Sequence, residues 1–517
     1  MIDRPRPRFR LAFAGIVATG AAIATGELAA GVLPGVPSPV LSIGRLVVAL
    51  QPPGAKDLVA NLFGTSDKLA LQVAILAVAL VVGAGIGLLA GRWPTVAGGV
   101  LLLFAGVGFI ASIGDPDAVM TLAIGAAAAE VILGLAVLNW LVPIAMGVGP
   151  APGRGQRDPT PGMPDWTRRS LLQRGGAVAV GSVVAGAFGR ALLEGQRVPA
   201  AASGGFPSPA AAATLPIGAD LGIANLTPIV MPNDRFYRID TALIAPNVNV
   251  ADWRLKVTGM VDHHIELTYA ELIQLPIIEQ YVTIACVSNQ VGGDLVGNAA
   301  WRGVPLRTVL SMAGVQPGAT QLVGRSVDGF TVGMPTEWVM DESRVPMIAI
   351  GMNGQPLPRP HGYPARLIVP GLYGYVSATK WLTELQLTTL EAFDAYWVPL
   401  GWAKEAPILT QSRIDLPRNG AGLQAGHVAI AGVAWAPDRG IGKVEVAIDG
   451  AWQEARLSTP ISKATWVQWL VDWAATSGSH TIEVRATDGT GVVQTADQSP
   501  PAPDGARGHQ MIQVHVA

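Results

Sequence analysis

The sequence predicts three fold classes in one chain: an all-α transmembrane bundle, then a mixed α+β domain, then an all-β sandwich. Three observations carry this reading. Apolar stretches of the ~20 residues that a membrane-crossing helix needs crowd the first part of the chain. From Arg235, apolar runs of strand length alternate with short helical patterns. Beyond residue 405, short strand-like segments recur between turn signals. Composition agrees. Of 517 residues, 50% are hydrophobic and 14% are charged, and mean hydropathy is +0.39. Globular chains carry about 25% charged residues, so a disordered chain is excluded and a wholly soluble one is disfavoured. A net charge of -2 gives no support for nucleic-acid binding, which usually shows a basic excess. The one cysteine excludes an intrachain disulfide framework and a Cys₄ zinc or iron–sulfur site.

Residues 1–150 hold four predicted spans: Leu11–Leu33, Leu69–Ala90, Val96–Ile113 and Val119–Val148. Pro34, Pro94 and Pro116 fall in the connections, where helices stop. Basic residues set the orientation. Arg4, Arg6, Arg8 and Arg10 place the start in the cytoplasm. Arg92 keeps the second connection inside, Asp115 and Asp117 mark the third as outside, and Arg154, Arg157, Arg168 and Arg169 follow the fourth span inside. Arg45, Lys56 and Lys68 run against this scheme, in a long first connection whose residues 39–50 read as a short interfacial helix. Glu27 and Glu130 lie within spans. A carboxyl group in lipid marks either a function or a hydrogen bond between helices.

Residues 151–195 comprise a cytoplasmic linker, the motif Thr167-Arg168-Arg169-Ser170-Leu171-Leu172 and a weaker fifth apolar span, Gly175–Leu193. Paired arginines before an apolar pair and a weak apolar segment resemble a twin-arginine export signal. Ordinary anchoring charge is the alternative. The motif lies on the cytoplasmic side of this topology, so the fifth span carries everything downstream out of the cytoplasm. An uncleaved anchor is expected, although Pro199–Ala202 before Ser203 suits a cleavage site. No histidine occurs in residues 1–262, so the spans are expected to hold no haem.

Residues 196–232 are rich in Pro, Ala and Gly and read as a tether. In residues 233–392, Trp253–Thr258 and Tyr281–Ala285 are predicted strands, and Tyr269–Gln274 and Leu306–Ala313 are predicted helices. Asp328-Gly329, Asn353-Gly354 and Pro370-Gly371 are turn signals. In residues 405–517, Val428–Ala434, Lys443–Ile448 and Thr481–Ala486 are predicted strands, spaced as in an immunoglobulin-like sandwich. Trp435, Trp452, Trp466, Trp469 and Trp473 supply apolar area for a core or a subunit contact.

Cys286 ends an apolar strand and opens a polar, Gly-rich loop. A lone cysteine there reads as a buried small hydrophobe, or as a thiolate at a strand end, where sites are built. A thiolate acts as a nucleophile or as a soft metal ligand. The nucleophile needs a base, and His361 is the only histidine between His264 and His427. The metal needs the rest of its shell from elsewhere, most simply from a cofactor.

Several motifs then occur in a familiar order. They are Cys286-Val-Ser-Asn289, Gly297-Asn298-Ala-Ala-Trp301-Arg-Gly303, Met352-Asn353-Gly354, His361-Gly362-Tyr-Pro364-Ala-Arg366 and Lys380-Trp381-Leu382. Together they resemble the molybdopterin-binding domain of the sulfite oxidase family over residues 215–392. The last domain resembles that family's Mo-cofactor dimerisation domain, and the whole is nearest to its bacterial, membrane-anchored, twin-arginine-exported members. The resemblance implies a molybdenum–molybdopterin cofactor with Cys286 as thiolate ligand of the metal. Asn289 lies in the same loop. His361, Arg366 and Lys380, joined by Ser377 and Thr379, would hold the pterin and its phosphate. Arg238 aligns with an arginine near the substrate, whereas Asp240 stands where the family has a histidine.

Two further departures affect the substrate. Gln290 and Val291 replace two arginines that contribute to anion binding. Phe330 replaces the active-site tyrosine, and a phenyl ring cannot hydrogen-bond an oxo group. The metal site is kept and the sulfite pocket is not. The resemblance therefore implies a membrane-anchored, extracytoplasmic oxidoreductase that transfers an oxygen atom, leaning towards reduction of a neutral sulfoxide or N-oxide. Sulfite oxidation, with arginines from other loops or the last domain, is the second reading. A non-catalytic binding or scaffold module on a transport or sensory domain is the third. Expected partners are a small-molecule substrate, membrane lipid, a separate electron-transfer protein and a second copy of the chain through the last domain. Nucleic acid is not among them.

Overall fold

A computed structural model describes residues 8–50, 67–113, 115, 118–147, 166–195 and 206–517. Arg4, Arg6, Lys56, Pro116, Asp117, Arg154, Arg157 and the 199–203 cleavage site lie outside the described residues. The chain divides into two compact units. One comprises residues 1–197 with 242–244, the other residues 198–241 with 245–517.

The first unit is helical: α1 (Arg8–Val32), α2 (Pro39–Leu50), α3 (Asp67–Ala90), α4 (Pro94–Ile113), α5 (Met120–Ala145) and α6 (Trp166–Gly195). Among the described residues, five helices are long and apolar enough to cross a membrane, all of these but α2. The first four of these follow the predicted spans to within a few residues, whereas α6 starts at Trp166, nine residues before the predicted Gly175. Pro94 opens α4 instead of lying in a connection. A first-turn residue has no helical partner for its N–H, so proline is tolerated there.

Glycines let the backbones of this unit approach closely. A Cβ on Gly15 of α1 would overlap the backbone of Gly83 and Gly87 on α3. Gly31 of α1 and Gly189 of α6 meet in the same way. Small residues at such crossings are how helices associate without a hydrophobic drive. Glu27 is accounted for by hydrogen bonding. Its Oε1 accepts from the Ser38 hydroxyl at 2.6 Å and from the Val40 N–H, at the start of α2, at 3.1 Å. Arg190 lies 3.8 Å from its Oε2.

The second unit contains four sheets. The first runs β2-β1-β10-β5-β6, from β1 (Arg254–Gly259), β2 (Ile265–Thr268), β5 (Gln321–Ser326), β6 (Thr331–Pro335) and β10 (Leu382–Thr388). The second runs β3-β4-β7-β8 with β9 beside β7, from β3 (Ile278–Ala285), β4 (Val296–Pro305), β7 (Met347–Met352), β8 (Gln355–Pro356) and β9 (Arg366–Ile368). Leu255 and Leu385 of the first sheet share one core with Trp301 and Ile348 of the second. The predicted helix Leu306–Ala313 forms with those bounds. Tyr269–Leu272 is shorter than expected and starts on a capping box made by Thr268 and Glu271.

Residues 411–516 are β-rich. β11 (Gln411–Leu416), β13 (Gly426–Trp435), β16 (Arg456–Leu457) and β17 (Val467–Ala475) form one sheet. β12 (Gly422–Leu423), β14 (Ile441–Ile448), β15 (Ala451–Glu454), β18 (Gly478–Asp488) and β19 (Gln510–Val516) form the other. Ile430 and Trp469 from one sheet pack with Val444, Ile482 and Val514 from the other. Of the five tryptophans, only Trp452 is exposed, at 37%. Trp435 and Trp466 join the core of the preceding sheets instead of their own. Trp466 donates its indole N–H to Ile229 O at 2.9 Å, and its backbone N–H to the Thr283 hydroxyl at 2.8 Å.

The glycine crossings make a stability prediction. Gly15→Val forces α1 from α3 and should destabilise the helical unit by about 1–3 kcal/mol, the usual cost of overpacking. Gly85→Val, on α3 where a Cβ meets nothing within 4 Å, should leave it unchanged. Thermal unfolding of the two variants in one detergent checks the difference.

Candidate functional site

Cys286 stands one residue beyond β3, where the ladder to β4 has just begun at Ala285 and Val296. Its N–H donates to Leu295 O at 2.9 Å. The loop that follows is closed by Asn289, whose Oδ1 accepts the Leu295 N–H at 2.8 Å. The Asn289 amide oxygen is thus engaged in shaping the loop. The thiol is 8% exposed.

A second set of residues converges around one carboxylate. Asp240 accepts from Lys380 Nζ at 3.0 Å and from Arg238 Nε at 2.9 Å through the same oxygen. Lys380 also donates to Pro360 O at 3.2 Å. One residue on, His361 Nε2 lies 2.9 Å from Asn233 O. A carbonyl can only accept, so the imidazole donates there and its Nδ1 remains an acceptor. Arg366 opens β9 and donates to His361 O at 3.1 Å, with its guanidinium 5.0 Å from the centre of the Trp301 ring. Phe236 packs edge-on against both Trp301 and His361.

The electrostatics follow from burial. Arg366 is 3% exposed, and no carboxylate lies within ion-pairing distance of it among the described residues. Burial pulls its guanidinium down to about 10. Burial also pulls Lys380 down to about 8, with Asp240 opposing the shift. His361 is pushed down to about 4, first by burial, and also by the nearby charges of Arg366, Lys380 and Arg238. Three cations thus face one carboxylate in a largely buried site. An anion bound there would offset the cost of burying this excess charge.

The structure brings Arg238, His361, Arg366 and Lys380 together. Ser377 and Thr379 are buried nearby in sequence but are differently occupied. The Ser377 hydroxyl donates into its own turn, towards Leu372 O and Tyr373 O. The Thr379 hydroxyl is fully buried without a partner and faces Gly324 of β5. Phe330 sits at the β5–β6 turn, its ring 5.6 Å from that of Tyr396. Among the described residues, no hydrogen bond or ring contact joins Phe330 to the cationic cluster.

Sequence reasoning missed Tyr237, Asn233 and the role of Asp240. The Tyr237 hydroxyl and the Ala285 carbonyl oxygen lie 4.0 and 3.6 Å from the position a Cβ of Gly374 would take. Burial raises the Tyr237 phenol, and the charge of Cys286 raises it further while Arg366 opposes. It is therefore a phenol neighbouring both the thiol and the buried guanidinium. Asn233 is held by Asn353, whose Nδ2 donates to Asn233 Oδ1 at 2.7 Å and to Met231 O at 2.9 Å.

A molybdopterin cofactor fits these residues. An oxidised Mo centre accepts soft sulfur, which the sole thiol offers. A pterin phosphate matches the buried guanidinium of Arg366, which has no carboxylate partner among the described residues.

The depressed histidine makes a pH prediction. Unfolded His361 titrates near 6.5 and folded His361 near 4. Its contribution is whole above pH 6.5 and is lost as pH falls to about 4, because only the unfolded state takes up the proton. His361→Gln keeps the donor to Asn233 and removes the titration. The fall in unfolding free energy between pH 7 and pH 4 should shrink in this variant by up to about 3 kcal/mol. Urea titrations of the detergent-solubilised chain at the two pH values check it.

Comparison with known proteins bears on the same residues. Residues 242–397 match the family described as oxidoreductase molybdopterin binding domain. The chain is 28% identical over 303 residues to mitochondrial sulfite oxidase of Homo sapiens, covering 49% of this chain and 55% of that protein. It is 30% identical over 272 residues to the Rattus norvegicus protein, covering 44% and 49%. Nitrate reductase [NADH] 1 of Oryza sativa subsp. japonica is 28% identical over 309 residues, covering 47% and 33%. The chain thus spans about half the length, or less, of these relatives. Among solved structures, the sulfane dehydrogenase SoxCD from Paracoccus pantotrophus is 25% identical at a TM-score of 0.49, covering 55% of this chain and 81% of that one. The middle of this chain is a molybdopterin-binding domain of the sulfite oxidase family.

Proposed function

We propose that this chain is a membrane-anchored, extracytoplasmic oxidoreductase that transfers an oxygen atom at a molybdenum ligated by Cys286. The observation that carries the reading is a buried thiol and a cation-rich site with one carboxylate, both acting on Tyr237. When bound, the cofactor supplies a two-electron centre that can take up or release an oxo oxygen. Cys286 holds the metal. Arg366 and Lys380 bind the phosphate, and neutral His361 offers Nδ1 as an acceptor to a ring N–H. Asp240 orients Lys380 and Arg238. Location rests on the five apolar helices and on Arg168-Arg169 in the first turn of α6. Residues 405–517 act as an immunoglobulin-like dimerisation domain.

Three features favour a neutral acceptor such as a sulfoxide or N-oxide. The Cys286 loop carries Gln290 and Val291 and no cation. Phe330 adds no hydrogen-bonding group. Arg238, which is partly exposed, is already paired with Asp240. One observation favours sulfite oxidation as the second reading. Arg413 of the last domain donates to Gly293 O, in the Cys286 loop, at 2.9 Å. Asp415 pairs with Arg413 at 2.6 Å, so an anion would have to compete for it.

Metal analysis of detergent-purified protein, with a Mo(V) EPR spectrum on partial reduction, tests the reading. About one molybdenum per chain is expected, with the EPR signal changed or lost in Cys286→Ala. Arg366→Ala should weaken cofactor retention at least ~10-fold, equivalent to about 1.4 kcal/mol. Reduced enzyme should be reoxidised by dimethyl sulfoxide faster than oxidised enzyme is reduced by sulfite. Protein free of molybdenum from a host that makes the cofactor would overturn the assignment.

A further inference from the structure

Arg413 of β11 ties the last domain to the loop of the sole cysteine. Its side chain is buried, and its guanidinium reaches two segments beyond its own strand. Nε pairs with Asp415 at 2.6 Å, Nη1 donates to Gly293 O at 2.9 Å, and Nη2 donates to the Thr227 hydroxyl at 2.8 Å. Thr227 is itself fixed, because its carbonyl oxygen accepts from Gln468 Nε2 at 2.8 Å. Gln510 of β19 supports the same loop. Its Oε1 accepts the Ile414 N–H at 2.6 Å, and its side chain occupies the space where a Cβ on Gly292 would sit.

The loop passes this restraint to the thiol. The Gly293 N–H donates to Gln290 O, and the Asn289 N–H donates to Cys286 O. A Cβ on Gly293 would overlap Asn289 Oδ1, the atom that accepts the Leu295 N–H. Leu295 O in turn accepts the Cys286 N–H. Residues 286–295 thus close on themselves, and Arg413 fixes them from outside at Gly293 O. The shape of the guanidinium matters here more than its charge. Asp415 already balances the cation, whereas the three acceptors need the planar fork that only arginine presents. An ammonium donates from a single atom and does not span the same set.

We infer that Arg413 is a positioning residue for the Cys286 thiolate, acting through the 286–295 loop to fix how the sulfur is presented. The role of that sulfur as a metal ligand rests on the function proposed above, whereas the restraint on it does not.

Cys286 is the sole cysteine, so alkylation of the full chain reports on this thiol alone. The test measures the rate of N-ethylmaleimide alkylation in detergent, well below the unfolding temperature, on protein from a host that lacks the molybdenum cofactor. Arg413→Lys keeps the charge and loses the fork, and should raise the rate at least ~10-fold by letting the loop open locally. Thr227→Val removes one acceptor at nearly constant shape and should raise it about threefold. Val446→Ala, in the core of the sandwich, should lower the unfolding temperature and leave the rate unchanged. In molybdenum-loaded protein, Arg413→Lys should shift the Mo(V) EPR spectrum, and Val446→Ala should not. Should Arg413→Lys fail to fold, Thr227→Val decides. Alkylation of Arg413→Lys at the unsubstituted rate, an equal rise in Val446→Ala, or an unshifted Mo(V) spectrum would overturn the inference. Unsubstituted protein without molybdenum, from a host that makes the cofactor, would overturn the proposed function instead and leave alkylation to decide the positioning role.

Discussion

The buried cations around Asp240 are the constraint on which the rest of the molybdopterin domain depends. A guanidinium and an ammonium withdrawn from water cost several kcal/mol each unless they are paired. One carboxylate, shared between Lys380 and Arg238, compensates part of this. Arg366 has only carbonyl oxygens and the face of Trp301. Burial first, and then these neighbouring positive charges, keep His361 neutral. The imbalance explains why three segments distant in sequence must meet. Residues 233–240, 359–366 and 380–381 each supply a group that the others need.

Backbone carbonyl groups do much of this work, which is why the supporting residues are amides and aromatics. Asn353, in the turn after β7, donates from Nδ2 to Asn233 Oδ1 and Met231 O and accepts the Ala300 N–H at Oδ1. Asn233 O then accepts a hydrogen bond from the His361 N–H. The β-rich region beyond residue 405 takes part as well. Trp466 anchors Ile229 O, and Arg413 holds the loop that follows Cys286. The rigidity of that loop thus comes partly from residues more than a hundred positions away. This region acts as a wall of the site, besides any role it has in assembly.

Local pattern made some of this legible in advance. Cys286 falls at a strand end because β-branched and aromatic residues run up to it and glycine follows. Leu306–Ala313 is helical because its apolar residues recur at helical spacing. The convergence of His361, Arg366 and Lys380 was legible only through resemblance to a family, since nothing in a linear sequence pairs positions so far apart. Short polar side chains are less legible. Asn289 and Ser377 are expected to face the cofactor, and each is also close enough to nearby backbone to bond there, Asn289 to the Leu295 N–H and Ser377 to Leu372 O and Tyr373 O. Asp240 looked like the loss of a family contact. It proves to be the counter-charge that two cations share, a relation visible only once residues 140 positions apart are adjacent.

Glu27 and Glu130 show the same limit from the other side. In sequence they are equivalent, each a lone carboxyl group in an apolar helix. In the structure Ser38, Val40 and Arg190 surround Glu27, whereas Glu130 faces a cavity. The difference comes from packing and not from hydropathy. The turn that follows α1 brings a hydroxyl and a backbone N–H to Glu27, whereas the helices around Glu130 bring it the backbone of Gly26 and walls that are almost entirely carbon.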